Sequence, residues 1–223
     1  MRGTRRWAIE DREALSRALK FSAAASVMAT LALAVPPVMN ARLGLSHHRM
    51  FVYLVPQAIV LAVPIGFTLG ILLGLRGRTL SGRSTGTVLA CAIFCSCACL
   101  ATFAWILPSA NQEFREAVFG QTHSAVPVMK GLNELTLGEL SERLRSSSRT
   151  GLIDWDPRVL AYTYHMRWAF SCATLVLALF ALAMARRIVA RWAVALAAVC
   201  ACFSYYVLMW FGRAGALQDA LPA

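Results

Sequence analysis

Apolar positions in this chain come in blocks rather than at a helical or strand-like period. Phe21 to Val38, Phe51 to Leu75, Thr87 to Leu107, Trp168 to Ala185 and Trp192 to Phe211 are apolar on all sides, and arginine-bearing joints separate them. At about 1.5 Å rise per residue, each block is long enough to cross a hydrocarbon layer roughly 30 Å thick. A soluble bundle would keep a polar face on each helix, and a transmembrane barrel would alternate apolar and polar residues over short strands. Neither pattern is present, so the expectation is an all-α, polytopic membrane protein with five transmembrane helices.

The order of the blocks divides the chain. Residues 1–107 hold an amino-terminal interfacial helix and the first three spans, 108–164 form a short helical excursion, and 165–223 carry the last two spans and a tail. In the interfacial helix, Thr4 to Lys20, Trp7, Leu15 and Leu19 lie against lipid while Arg12 and Arg17 meet headgroups. Its acidic residues and its length argue against a cleaved signal. The Pro36-Pro37 pair marks the outer end of the first span. In the second, Pro56 and Pro64 predict bending, and Gly66, Gly70 and Gly74, four apart, invite close approach of a neighbouring helix.

The excursion is different in kind. Asn111, Gln112, Glu113, Arg115 and Glu116 follow the third span, and Thr136 with Glu139 fits a capping box ahead of Leu137, Leu140 and Leu144 at helical spacing. Ser146 to Gly151 reads as a loop, and Asp154-Trp155-Asp156-Pro157 as a turn into the fourth span. The whole segment is too small for a large independent domain.

Composition fits a membrane protein: 58% of residues are hydrophobic and 15% charged, with mean hydropathy +0.59. Charge adds orientation. Arg2, Arg5, Arg6, Arg12, Arg17 and Lys20, then Arg76, Arg78 and Arg83, then Arg186, Arg187 and Arg191 all fall on one side, twelve basic residues against three acidic. The positive-inside rule puts that side, and the amino terminus, in the cytoplasm; five crossings put the carboxyl end outside. The net charge of +11 is thus largely topology and implies no nucleic-acid partner.

Chemistry done by side chains has little support. Cys91, Cys95, Cys97 and Cys99 share one span but not one face, Cys172, Cys200 and Cys202 lie in others, and no metal-ligand set emerges. Small apolar filling is the simpler role. His47, His48, His123 and His165, with Asp154 and Asp156, follow no recognised ligand spacing, and no phosphate loop or nucleophile elbow occurs. The expectation is a non-enzymatic protein with no catalytic residues, metal or cofactor; an intramembrane enzyme using His165, Asp154 and Asp156 ranks well behind. The remaining candidates are cations at the outer boundary, Arg42, Arg49, Arg115, Lys130 and Arg167, whose charge suits a phosphorylated lipid. Each also has the simpler reading of snorkelling to ordinary headgroups.

Several segments then look familiar. Tyr53 to Gly70, with its two prolines, resembles the second helix of the lipopolysaccharide-export permeases of the LptF/LptG type. Leu107 to Glu116 resembles the point where that family's third helix leaves the membrane. Tyr164-His-Met-Arg167-Trp-Ala-Phe with Leu175 to Ala183 is similar to its fourth helix, and Ser204-Tyr205-Tyr206-Val-Leu, Gly212 and Gly215 to Pro222 to its fifth helix and following loop. The resemblance implies a permease-like subunit in a bacterial inner membrane, acting on lipopolysaccharide or a related anionic lipid. It also implies a sister permease, a cytoplasmic ATPase and a periplasmic bridge protein. Three departures stand beside it. The excursion is too short for the family's periplasmic β-jellyroll, Arg76 to Gly86 is too short for its usual coupling helix, and the chain reaches Pro222 where a sixth span is expected. The alternative is a non-transporting scaffold or accessory subunit that binds partner proteins through the excursion.

Overall fold

A computed structural model describes residues 2–40, 47–77, 81–119, 131–150, 156–187 and 190–217. Those residues form helices: α1 (Arg2–Asn40), α2 (His47–Leu75), α3 (Gly82–Ala101), α4 (Leu107–Phe119), α5 (Leu137–Thr150), α6 (Pro157–Ala185) and α7 (Arg191–Leu217). A π-helical turn, Thr102–Ile106, joins α3 directly to α4, and a 3₁₀ turn, Leu132–Glu134, precedes α5. Five stretches are long and apolar enough to cross a membrane, the third running unbroken from Gly82 to Glu116. The all-helical, five-span architecture is the one the apolar blocks dictate.

Within the fold α2 is central. It packs against α1, α6 and α7, and 61% of its apolar window is buried, against 17% for α1 and for α7. The main core joins Ala14 and Ala18 of α1, Phe67, Ile71, Leu72 and Leu75 of α2, Val88 and Ala92 of α3, Ala178 and Ala181 of α6, and Val194 of α7. These meet toward the end of the bundle at which α1 begins, here termed the basic end. The opposite end carries α4, α5 and the start of α6 and is termed the far end.

The α1–α2 contact explains the glycine spacing. A Cβ at Gly66, Gly70 or Gly74 would run into the backbone of Ser26, Ser22 or Ala18 respectively. Small residues on both helices let the backbones meet, and dispersion supplies the attraction where lipid removes the hydrophobic drive. Ser22 Oγ also donates to the Phe67 carbonyl oxygen at 3.3 Å.

Two ties lock the basic end. The Asp11 carboxylate accepts from the Ser81 backbone N–H at 3.1 Å and from the Ser84 hydroxyl at 3.3 Å. An α1 carboxylate thereby meets the first turn of α3, where unpaired N–H groups and the helix dipole favour negative charge. Gly77, at φ 65°, follows α2 and donates its N–H to the Ala185 carbonyl oxygen at 2.8 Å, closing the last turn of α6. An L side chain rarely adopts that backbone conformation, which is why glycine ends α2.

Three boundaries differ from the sequence reading. No break separates the expected interfacial segment from the first span: α1 is one helix, with Ala14 and Ala18 buried on the core. It continues past Pro36-Pro37 to Asn40, because proline holds φ near its helical value even though it removes a donor. The residues read as a loop from Ser146 remain helical to Thr150.

Candidate functional site

At the far end, a polar junction holds α4, α5 and α6 together. It begins with the π turn. The Leu107 N–H donates to the Thr102 carbonyl, five residues back. In that register the Phe103 carbonyl awaits the N–H of residue 108, which is Pro108 and has none. The buried Phe103 oxygen therefore needs a donor from elsewhere.

Arg167 of α6 supplies it. Its Nη1 lies 3.4 Å from the Phe103 carbonyl oxygen and 2.6 Å from that of Leu135, and its Nη2 donates to the Leu132 carbonyl oxygen at 3.2 Å. Arg167 is only 2% exposed, so its cost of burial is offset by charge-assisted bonds to backbone oxygens that lack regular partners. Glu139, in the first turn of α5, is its acidic neighbour.

The 131–136 segment is tied in turn by α4. Asn111 Nδ2 donates to the Asn133 carbonyl oxygen at 3.0 Å, and Arg115 Nε pairs with Glu134 at 3.2 Å. The Glu134 carboxylate also accepts from the Gly131 N–H at 3.0 Å. The capping box read from the sequence is present: the Thr136 N–H donates to Glu139 at 2.7 Å, and the Glu139 N–H to the Thr136 hydroxyl at 3.2 Å. Asp156 caps α6, accepting from the Arg158 N–H at 2.9 Å with Pro157 in the first turn. Leu135, Leu140 and Leu160 form an apolar floor, with Leu132, Leu144 and Tyr164 packed on it.

One turn deeper lies an aromatic layer. The Phe170 ring is 5.9 Å from Phe103, 6.3 Å from Tyr205 and 6.1 Å from Tyr206, measured between centroids. The Tyr206 hydroxyl donates to the Leu61 carbonyl oxygen of α2 at 2.9 Å, next to the gap that Pro64 leaves in the α2 ladder. The Tyr205 hydroxyl donates to the Ala169 carbonyl oxygen at 2.8 Å. Beside the junction, a groove of about 440 Å³ runs between the π turn and the start of α5, lined mostly by Leu100, Ala104, Trp105 and Leu137 with Thr136 at its polar edge.

Of the five candidate cations, the junction brings together two. Arg167 and Arg115 both turn toward protein partners, and Arg167 is a tie between helices rather than a rim cation. Arg49 falls in the first turn of α2, its side chain outside what is described; Arg42 and Lys130 lie outside the described residues. His165 is exposed against the Tyr164 ring. It sits about 13 Å along α6 from Asp156 at 1.5 Å per residue, so the two share no site; His123 and Asp154 are outside the described residues. Cys99 and Cys202 are buried, Cys91 and Cys95 half-buried, and Cys97, Cys172 and Cys200 face outward. Sequence reasoning missed the buried role of Arg167, yet a signal existed. Leu160, Thr163, Arg167, Ser171, Thr174 and Ala178 recur at three- and four-residue steps, all on the buried face of α6.

Residues 120–223, spanning α5, α6 and α7, match the family model described as lipopolysaccharide export system permease LptF/LptG. Over that stretch the chain is similar to the LptF/LptG family. The Arg167 tie, the Phe170 layer and both tyrosines fall within it, whereas Tyr53 to Gly70 and Leu107 to Glu116 lie outside and rest on resemblance alone. No curated protein and no solved structure matches the chain. Five helices long and apolar enough to cross a membrane, together with a likeness to a lipopolysaccharide export permease over residues 120–223, fit a multi-pass membrane protein.

Proposed function

We propose that this protein is a permease-like subunit, of the LptF/LptG type, of an ATP-driven inner-membrane complex that exports lipopolysaccharide, with a separate cytoplasmic ATPase supplying the energy. The family match over residues 120–223 carries the reading. The groove beside Trp105 supports it, being apolar along most of its length and polar where it meets Thr136, as an acylated, phosphorylated guest requires. In this reading the chain contributes no catalytic residue. Acyl chains bind apolar helix faces, and Arg42, Arg49 and Lys130 hold phosphates at the periplasmic rim. Arg115 and Arg167 keep the rim in shape from behind. Closure driven by the ATPase shifts the complex to a state with lower affinity for the lipid. A sister permease completes the cavity, and a periplasmic bridge protein receives the cargo.

Orientation belongs to the proposal: the basic end faces the cytoplasm, with the far end and the carboxyl terminus in the periplasm. Reporter fusions at Arg83, Ser147 and Ala223 should read inside, outside and outside.

One observation favours a second reading, a non-transporting accessory subunit. Only Arg76 to Ser81 separate α2 from α3, too little chain for a helix that docks on an ATPase. Purification from native membranes in mild detergent separates the two. Co-isolation of an ATPase and a phosphorylated glycolipid supports the permease, and isolation with other proteins but neither of these supports the accessory role. In the first case, Arg42→Ala with Arg49→Ala lowers the amount of glycolipid retained.

A further inference from the structure

At the basic end, the face of α1 turned away from α2 carries an open concavity of about 610 Å³, lined by Arg12, Glu13, Ser16, Arg17 and Lys20. The opposite face is buried: Ala14, Ala18 and Ser22 pack inward. Arg12, Ser16 and Lys20 recur every fourth residue and so share one stripe. Continuing along it by helical spacing leads to Val27 and Leu31, 58% and 41% exposed, in the apolar part of α1. A basic patch with one hydroxyl thus sits directly above an outward-facing apolar stripe on one rigid helix.

One side chain of the patch is tied to the helix backbone. Arg17 Nε donates to the Glu13 backbone carbonyl oxygen at 3.4 Å. Three cations against one carboxylate leave the concavity net positive, and the Ser16 hydroxyl adds a donor. Positive charge with several donors suits a phosphodiester, and the stripe below suits a chain lying along the helix.

We propose that this face of α1 is a binding site for one anionic glycerophospholipid of the adjoining leaflet. Arg12, Arg17, Lys20 and Ser16 take the phosphodiester headgroup, and an acyl chain lies over Val27 and Leu31. The site is at the opposite end of the bundle from the polar junction and does not depend on what the protein transports.

Native mass spectrometry of the detergent-purified full chain tests it, with phosphatidylglycerol, phosphatidylcholine and inorganic phosphate as probes. The wild type should retain one phosphatidylglycerol in preference to phosphatidylcholine, and Arg12→Ala with Lys20→Ala should weaken that retention roughly thirty-fold. Val27→Ser with Leu31→Ser, which leaves the charge unchanged, should weaken it as well, and millimolar inorganic phosphate should not displace the lipid. Arg213→Ala, at the exposed far end of α7, is the charge control and should have no effect. Equal retention by wild type and the Arg12/Lys20 variant overturns the site. So does an equal loss with Arg213→Ala, which would reduce the effect to net charge, or displacement by phosphate alone, which would make it a headgroup-only patch. All of these variants change exposed residues, so their folding is expected to match the wild type.

Discussion

The α1–α2 hairpin and the far-end junction solve the same problem by opposite means. In the hairpin, helices hold together because side chains are missing: Gly66, Gly70 and Gly74 let α2 lie against the backbone of α1. At the junction, one long side chain, Arg167, reaches across to three carbonyl oxygens of two other segments. The difference follows from what each region must satisfy. Regular helices have already paired their own backbone, so only packing remains to be optimised. The π turn, Pro108 and the short 131–136 segment leave backbone oxygens without donors, and only a multiply donating group serves them all.

The contrast can be broken first at the hairpin. Gly70→Val should have the largest effect, on the order of 3 kcal/mol or more, since its first side-chain carbon meets backbone rather than a movable group. Ser22→Gly should not rescue it, because the Ser22 N and Cα remain in the way. Reversible unfolding in mixed detergent micelles measures both, and a rescued double variant would show that the helices are less closely held.

Next comes the junction. Arg167→Ala should cost roughly 2–4 kcal/mol by stranding buried carbonyl oxygens. Pro108→Ala restores an N–H that can serve Phe103, so the Arg167→Ala penalty should be smaller in that background. A double-variant cycle giving simple additivity would remove Phe103 from the account. Thr136→Ala should cost about 1 kcal/mol and loosen the first turn of α5; faster amide exchange confined to residues 137–140 checks it. The smallest effect should come from Tyr206→Phe, about 0.6 kcal/mol, the usual size of a hydrogen bond between membrane helices. The same unfolding assay reads it, and a cost above about 2 kcal/mol would mean that the hydroxyl does more than add a bond to the Leu61 carbonyl.

Legibility follows the same division. Long apolar blocks, a glycine every fourth residue, the Thr136–Glu139 box and the Asp156-Pro157 start are local signals, and all are present in the fold. What escaped depended on partners distant in sequence. The continuity of α1 is fixed by Ala14 and Ala18 packing on a core that includes residues from four other helices. The burial of Arg167 is decided by carbonyls 32 to 64 positions away. An arginine next to Trp168 at a span boundary looks like a headgroup ligand until the orphaned oxygens are counted. The α6 periodicity held the clue, but hydrophobicity alone gives no reason to place a cation on a buried stripe.

The five-residue turn at Thr102–Ile106 amounts to one surplus residue lodged in an otherwise continuous rod. Each residue advances a helix by about 100°. Rewinding those same residues as ordinary α-helix, with none removed, would swing everything beyond them through about that angle. Asn111 and Arg115 would then sweep away from Asn133 and Glu134, and the far end would lose its alignment while the rod itself stayed intact.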